Sequence, residues 1–187
     1  MRYKPEHKEE THQRIVETAS REFREKGFEG VGIATLMKKL ELTHGGFYAH
    51  FENKDDLVRE SISKAFDEVD ERIDKVLEKH GVAGLIELYL SQGHVDNTGL
   101  GCPVPALATE VARQRGDSAS LFSESVKHRI SMFAGELPGE SATERFELAT
   151  FIFSSMVGAV TMARSTSDPV ERQKILDSSR SRLLKMI

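Results

Sequence analysis

Apolar residues recur every three or four positions along almost the whole chain, and no stretch alternates with period two. That spacing gathers apolar side chains on one stripe of an α-helix and scatters them over both faces of a strand. It predicts an all-α fold. Ile15, Ala19 and Phe23 repeat every four residues, and Gly27 followed by Phe28 stops this first helix. Ile33, Leu36, Met37 and Leu40 give a second, shorter helix. Thr43 is an N-cap candidate for a third, which carries Phe47 and Phe51 on one face despite the adjacent Gly45 and Gly46. Asn53, followed by Asp55 and Asp56, caps a fourth. Its spacing continues through Leu57, Ile62, Phe66, Ile73 and Leu77 to about Lys79, near Gly81. At 1.5 Å per residue that helix is roughly 39 Å long, enough to link two bodies.

Beyond it the pattern predicts a helix near 82–94, a loop "DNTGLGCP", and a helix opened by Pro103 or Pro105. A segment over 117–136 ends at Pro138-Gly139, and the capping box "SATE" introduces a helix over 142–165 that is apolar almost all round. Asp168 caps a last helix with Pro169 at its first position. The reading is about nine helices, with an N-terminal three-helix helix-turn-helix domain over residues 1–56 and a larger helical domain over 57–187.

Charge argues against a strongly basic nucleic-acid binder. The chain of 187 residues has a formal net charge of −4, and residues 1–56 hold ten Lys/Arg against eleven Asp/Glu. Only local placement of cations can serve DNA. No apolar run approaches the roughly 18–20 residues of a membrane span, and the polar start "MRYKPEHKEETH" lacks a signal-peptide core. The expectation is a cytoplasmic protein with no membrane partner. One cysteine cannot form an internal disulfide, which fits a reducing compartment.

The second and third helices are joined by little more than Glu41 and Leu42, the layout of a helix-turn-helix whose second helix enters the major groove. Residues 13–58 resemble the DNA-binding domain of the TetR/AcrR family of bacterial transcriptional regulators. The resemblance is carried by "RIVETASREFREKGFEG", "IATLMKKLELTHGGFYAHF" and "NKDDLV". It implies that Thr43, His44 and Gly45 begin the recognition helix, next to bases or phosphates. It further implies that Tyr48, His50 and Lys54 meet the phosphate backbone, with Phe47 and Phe51 in the core. Two positions depart from the family pattern. Glu41 stands where glycine often forms the turn, and Val31-Gly32 replaces a phosphate-binding threonine, leaving only the backbone N–H of Gly32. Gly45 and Gly46 allow two readings: a bare backbone that lets DNA approach, or close contact of Gly46 with the second helix.

For the larger half the resemblance implies effector binding and dimerisation. The apolar helix over 142–165 and the last helix supply an expected homodimer face of Phe146, Ala149, Phe153, Val157, Gly158, Val160, Ile175 and Leu183. Expected lining for a small hydrophobic effector is Phe66, Leu88, Tyr89, Cys102, Phe122, Val126, Phe133, Phe153 and Met156, with Gln92 or His94 as polar anchors. Cys102, just before a proline-opened helix, is either a redox or electrophile sensor or a small buried apolar residue. A Cys102–His94 thiol enzyme is the remote rival, without a third orienting group in view. No metal site and no cofactor are expected, since the histidines lack ligand spacing. The functional expectation is a non-enzymatic, homodimeric repressor that leaves palindromic double-stranded operator DNA when an effector binds.

Overall fold

The structure, a computed structural model, describes residues 5–114 and 116–187. All regular structure among them is helical. The order is α1 (Pro5–Lys26), α2 (Ile33–Lys39), a 3-10 segment (His44–Ala49), α3 (Lys54–Tyr89), α4 (Gln92–Asp96), a second 3-10 turn (Thr98–Leu100), α5 (Val104–Val111), α6 (Asp117–Gly135), α7 (Ala142–Ser165) and α8 (Pro169–Leu183).

Local signals set most boundaries. Gly27 adopts φ 75° after α1, and Phe28 is buried behind it. Asn53 accepts from the Asp56 amide, Ser141 and Glu144 close a reciprocal capping box, and Asp168 accepts from the Val170 amide ahead of α8. Within α3, Gly81 takes φ 62° and ψ −167°, a conformation essentially restricted to glycine, and divides the helix where the spacing lapses. Counting its two limbs separately gives nine α-helices among the described residues. The helix expected over 82–94 is interrupted instead at Leu90, and Ser91 caps the short α4.

The recognition segment differs from expectation in pitch. Thr43 does cap it, its Oγ1 accepting from the Gly46 amide at 3.2 Å, but His44–Ala49 is a 3-10 helix. Six residues with two adjacent glycines offer little propensity to hold α-helical pitch. Phe47 and Phe51 anchor the segment, buried to 0% and 2% exposure and stacked on each other.

One apolar core runs from α1 to α8. Within it α7 packs between α6 and α8, burying Ala149, Ile152, Phe153, Met156, Val160 and Ala163. By length and composition alone α7 is apolar enough to cross a membrane, with a mean hydropathy of 1.5, which corrects the expectation that no run approaches this limit. Small and hydroxyl residues between its larger apolar groups hid the run, and its buried face is that of a core helix.

The expected dimer face also needs correction. Ala149, Phe153, Val160 and Leu183 are buried inside this chain and present nothing to a partner. Val157 and Ile175 are half-buried, whereas Phe146 is exposed and Gly158 borders open space. Phe151 and Met162 share the exposed face of α7 with Gly158 at i, i+7 and i+11, and sequence reasoning overlooked both as surface groups.

Between α2 and the recognition segment the chain turns through a Schellman arrangement. The Leu42 amide donates to Met37 O at 2.9 Å and the Glu41 amide to Lys38 O at 3.1 Å. This places Glu41 at φ 61°, where an L side chain costs roughly 1–2 kcal/mol. Replacing it with glycine gives back part of that cost as unfolded-chain entropy. We expect Glu41→Gly to raise stability by about 0.5–1 kcal/mol in urea denaturation; a loss would contradict strain at this turn.

Candidate functional site

Two regions carry the candidate chemistry. The first is the exposed edge of the helix-turn-helix. Gly32 caps α2 with an exposed backbone and no side-chain hydrogen bond. Thr43, His44 and Gly45 are exposed, and the His44 and Tyr48 rings meet edge to face at 5.8 Å. Tyr48 is 59% exposed, so an aromatic group that could have filled the core faces solvent instead. Lys54 stands half-buried in the first turn of α3. A side chain added at Gly45 would meet nothing within 4 Å, whereas one at Gly46 would lie 3.3 Å from Thr43 Oγ1 and 3.9 Å from Met37 Cε. The two glycines therefore divide the two readings between them: Gly45 faces outward, and Gly46 sits against its own cap and α2.

His50 is placed differently from its neighbours. Its Nδ1 is shielded from solvent without a hydrogen-bond partner among the described residues, and His12 lies 5.8 Å away. Burial, and then the nearby His12, lower its pKa from the ordinary imidazole value, so at pH 7 it is a neutral donor or acceptor. His12 itself stacks on Phe51 and meets Glu60 Oε2 at 2.7 Å, bracing α1 against α3.

The second region is a cavity of about 470 Å³ between α3, α4 and the 97–102 loop. Val69, Ile73, Leu85, Leu88, Tyr89 and Leu100 supply its apolar wall, and Arg72, Ser91, His94, Asn97 and Cys102 its polar groups. Leu88, Tyr89, Cys102 and His94 thus line it as expected from the sequence. The remaining expected lining does not. Phe66 packs edge to face on Phe122, and Phe133 lies against Phe153, all inside the core with Met156. Val126 is packed against that core from its edge, and Gln92 is exposed and donates to Asp96. Periodicity identifies these side chains as inward-facing but cannot tell a core from a cavity wall.

Hydrogen bonding fixes the state of His94. The Cys102 amide can only donate, so at 3.0 Å it makes His94 Nε2 an acceptor; Nδ1 then carries the proton and donates to Tyr89 O at 2.7 Å. Burial lowers the His94 pKa to about 4. The imidazole is engaged with the Cys102 main chain rather than with its sulfur, which leaves the thiol without a base in this arrangement.

Arginines that the sequence reading did not single out organise the same wall. Arg24, 2% exposed, donates to Ser20, to Glu68 Oε2 at 3.0 Å and to Gly101 O at 3.1 Å. Arg72 donates to Leu100 O at 2.6 Å, and Arg164 to His94 O at 2.9 Å and Val95 O at 3.2 Å. Arg129, fully buried, donates to Asp70, Phe66 O and the Cys102 sulfur, with Nη1 3.5 Å from Sγ. A signal for Arg129 existed, since it stands on the apolar stripe of Phe122, Val126 and Phe133. The carbonyls that receive the other three lie up to 77 residues away and leave no sequence trace.

The lowered His94 pKa has a stability consequence. Below its unfolded value near 6.5 the unfolded chain binds a proton that the folded chain refuses. The stabilisation is therefore complete above pH 6.5 and falls away as pH drops toward about 4. We expect this one group to cost the wild type about 2 kcal/mol between pH 7 and pH 5, and the pH slope to flatten by that amount in His94→Gln. Equal slopes for both proteins in chemical denaturation would contradict the assignment.

Comparison with known proteins agrees with this geometry. Residues 15–61 match the model for bacterial regulatory proteins of the tetR family. Over 87 residues the chain is 30% identical to the uncharacterized HTH-type transcriptional regulator YfiR of Bacillus subtilis, an alignment covering 46% of this chain and 42% of that protein. The match thus spans less than half of that relative's length. A TetR transcriptional regulator from Chloroflexus aurantiacus has a similar fold over 96% of this chain and 95% of its own, with a TM-score of 0.81 at 22% identity. The reduced form of Escherichia coli NemR superposes with a TM-score of 0.78 at 18% identity, covering 95% of this chain and 97% of that one. A TetR-family regulator from Cytophaga hutchinsonii gives 0.80 at 16% identity, over 100% and 98% of the two chains. Residues 15–61 thus match the DNA-binding segment of tetR-family bacterial regulatory proteins, and they are set on a helical body of the same fold as the solved regulators.

Proposed function

We propose that the protein is a cytoplasmic, homodimeric repressor that a small apolar effector releases from a palindromic operator. The observation that carries this reading is that the cavity and the DNA-binding segment share a wall. Leu100, Gly101 and Cys102 line the cavity, while Gly101 O holds Arg24 of α1 and Gly99 lies directly against Glu25. A second tie joins the end of α1 to the body, where the Phe28 amide donates to Glu110 Oε2 at 2.7 Å. A molecule that displaces the 97–102 loop acts on α1 without needing a distant relay. Effector occupancy then shifts the population toward a conformation in which paired recognition segments no longer match major grooves about 34 Å apart. The exposed face of Phe151, Gly158 and Met162 supports pairing through α7, because an apolar stripe on a core helix is a surface in search of a partner.

On the DNA side, Thr43, His44, Gly45, Gly46, Tyr48, His50, Lys54 and the Gly32 amide form the reading edge. With few cations there, base contacts and neutral donors carry more of the affinity than phosphate attraction. Selection of bound sequences from random DNA tests the assignment: a palindromic site supports it, and recovery of no preferred sequence contradicts it. On that operator Gly45→Leu should bind at least tenfold more weakly while melting within a few degrees of wild type. Operator and effector should weaken each other's binding by one common factor; unequal factors would break the two-state scheme.

A thiol-sensing variant of this reading is favoured by one contact, the Arg129 guanidinium against Cys102 Sγ on the cavity wall. It predicts that Cys102→Ser abolishes operator release by oxidants or electrophiles; unchanged release removes it.

A further inference from the structure

Four arginines converge on the 94–102 wall, yet only two have carboxylate partners. Arg24 pairs with Glu68 and Arg129 with Asp70. Arg72 and Arg164 donate to main-chain carbonyls and form no ion pair with Asp or Glu on this wall; among the described residues, none lines the cavity. The wall therefore holds two uncompensated cations next to a largely apolar space. His94 is neutral there and offsets nothing. Tyr89, 6% exposed and part of the same wall, keeps its hydroxyl shielded beside the Cys102 thiol. The desolvated phenol stays protonated, its pKa held well above the ordinary value, and so remains a donor.

We propose that the cavity takes an apolar molecule carrying a single negative charge, a carboxylate in chemical class. Its body would lie against Val69, Ile73, Leu85 and Leu88, and its charge would face Arg72, which lines the mouth beside the exposed Leu88 and Leu100. Arg72 is the direct partner because a guanidinium offers five donors and only two of its bonds are taken within the chain. Arg164, which has no carboxylate partner, acts through space and adds positive potential behind the wall. A volume of about 470 Å³ suits a small molecule rather than a polymer end. The inference rests on reading this cavity as the effector site and adds the charge and class of the effector.

Octanoate, 1-octanol and octylamine, matched in chain length, separate the charge from the apolar body. In calorimetric titrations of the full chain at pH 7, octanoate should bind at least tenfold more tightly than the other two. Arg72→Gln should weaken octanoate about tenfold and leave octanol within twofold, while Arg72→Lys should recover most of the octanoate affinity. Octanol or octylamine binding as tightly as octanoate, or octanoate unaffected by Arg72→Gln, would overturn the anion assignment and leave the effector cavity standing. Failure of all three probes to bind at millimolar concentration would remove both.

Discussion

A guanidinium shielded from water needs an acceptor for nearly every N–H, and Arg24 finds its acceptors on three separate parts of the chain. Ser20 belongs to its own helix, Glu68 to the long α3, and Gly101 to the loop that walls the cavity. Removing one acceptor leaves a buried charge short of partners, at a cost of about 3–5 kcal/mol when an ion pair is broken this way. The DNA-binding helices, the long helix and the cavity wall are thereby held in one arrangement. A ligand that alters the loop must either keep Gly101 O on Arg24 or move α1 with it. A rigid contact of this kind passes a displacement of the loop to α1 rather than absorbing it locally.

Electrostatics divide the molecule into two unlike surfaces. The DNA-reading edge is nearly neutral: Lys39 is committed to Glu22, which also binds Lys26, and these hydrogen bonds hold the Glu22 carboxyl below its usual range. At the cavity wall, Arg72 and Arg164 bond main-chain carbonyls and have no carboxylate partner. Arg72 is exposed at the cavity mouth and Arg164 half-buried behind it, so in a chain of net charge −4 these two cations stand apart from the DNA-facing edge. That distribution explains why bulk charge is a poor guide to the function of this fold.

Much of the architecture was legible because its causes are local. The caps at Asn53, Ser141 and Asp168, the glycine stops at Gly27 and Gly81, and the buried pair Phe47 and Phe51 each follow from residues within a few positions of one another. What was not legible depends on distant partners. The aromatic residues of α6 and α7 read as inward-facing, and nothing in their spacing separates Phe153, which fills the core, from Tyr89, which borders space. The 3-10 pitch of the recognition segment goes with six residues whose two adjacent glycines hold α-helical pitch poorly, and the spacing of Phe47 and Phe51 alone does not reveal it. The arginine–carbonyl bonds around the cavity have no sequence signature at all, since every residue offers a carbonyl.

The central claim is that the 97–102 loop transmits cavity occupancy to the DNA-binding helices through Arg24. Its most direct test is the operator affinity of wild type and Arg24→Lys, each measured free and saturated with whichever eight-carbon probe binds tightest. Lysine keeps the charge for Glu68 but lacks the planar fork that also reaches Gly101. The account predicts that the wild-type factor between free and saturated protein falls toward one in the variant, while each ligand alone binds within a few-fold of wild type. An undiminished factor in a folded Arg24→Lys protein would contradict it.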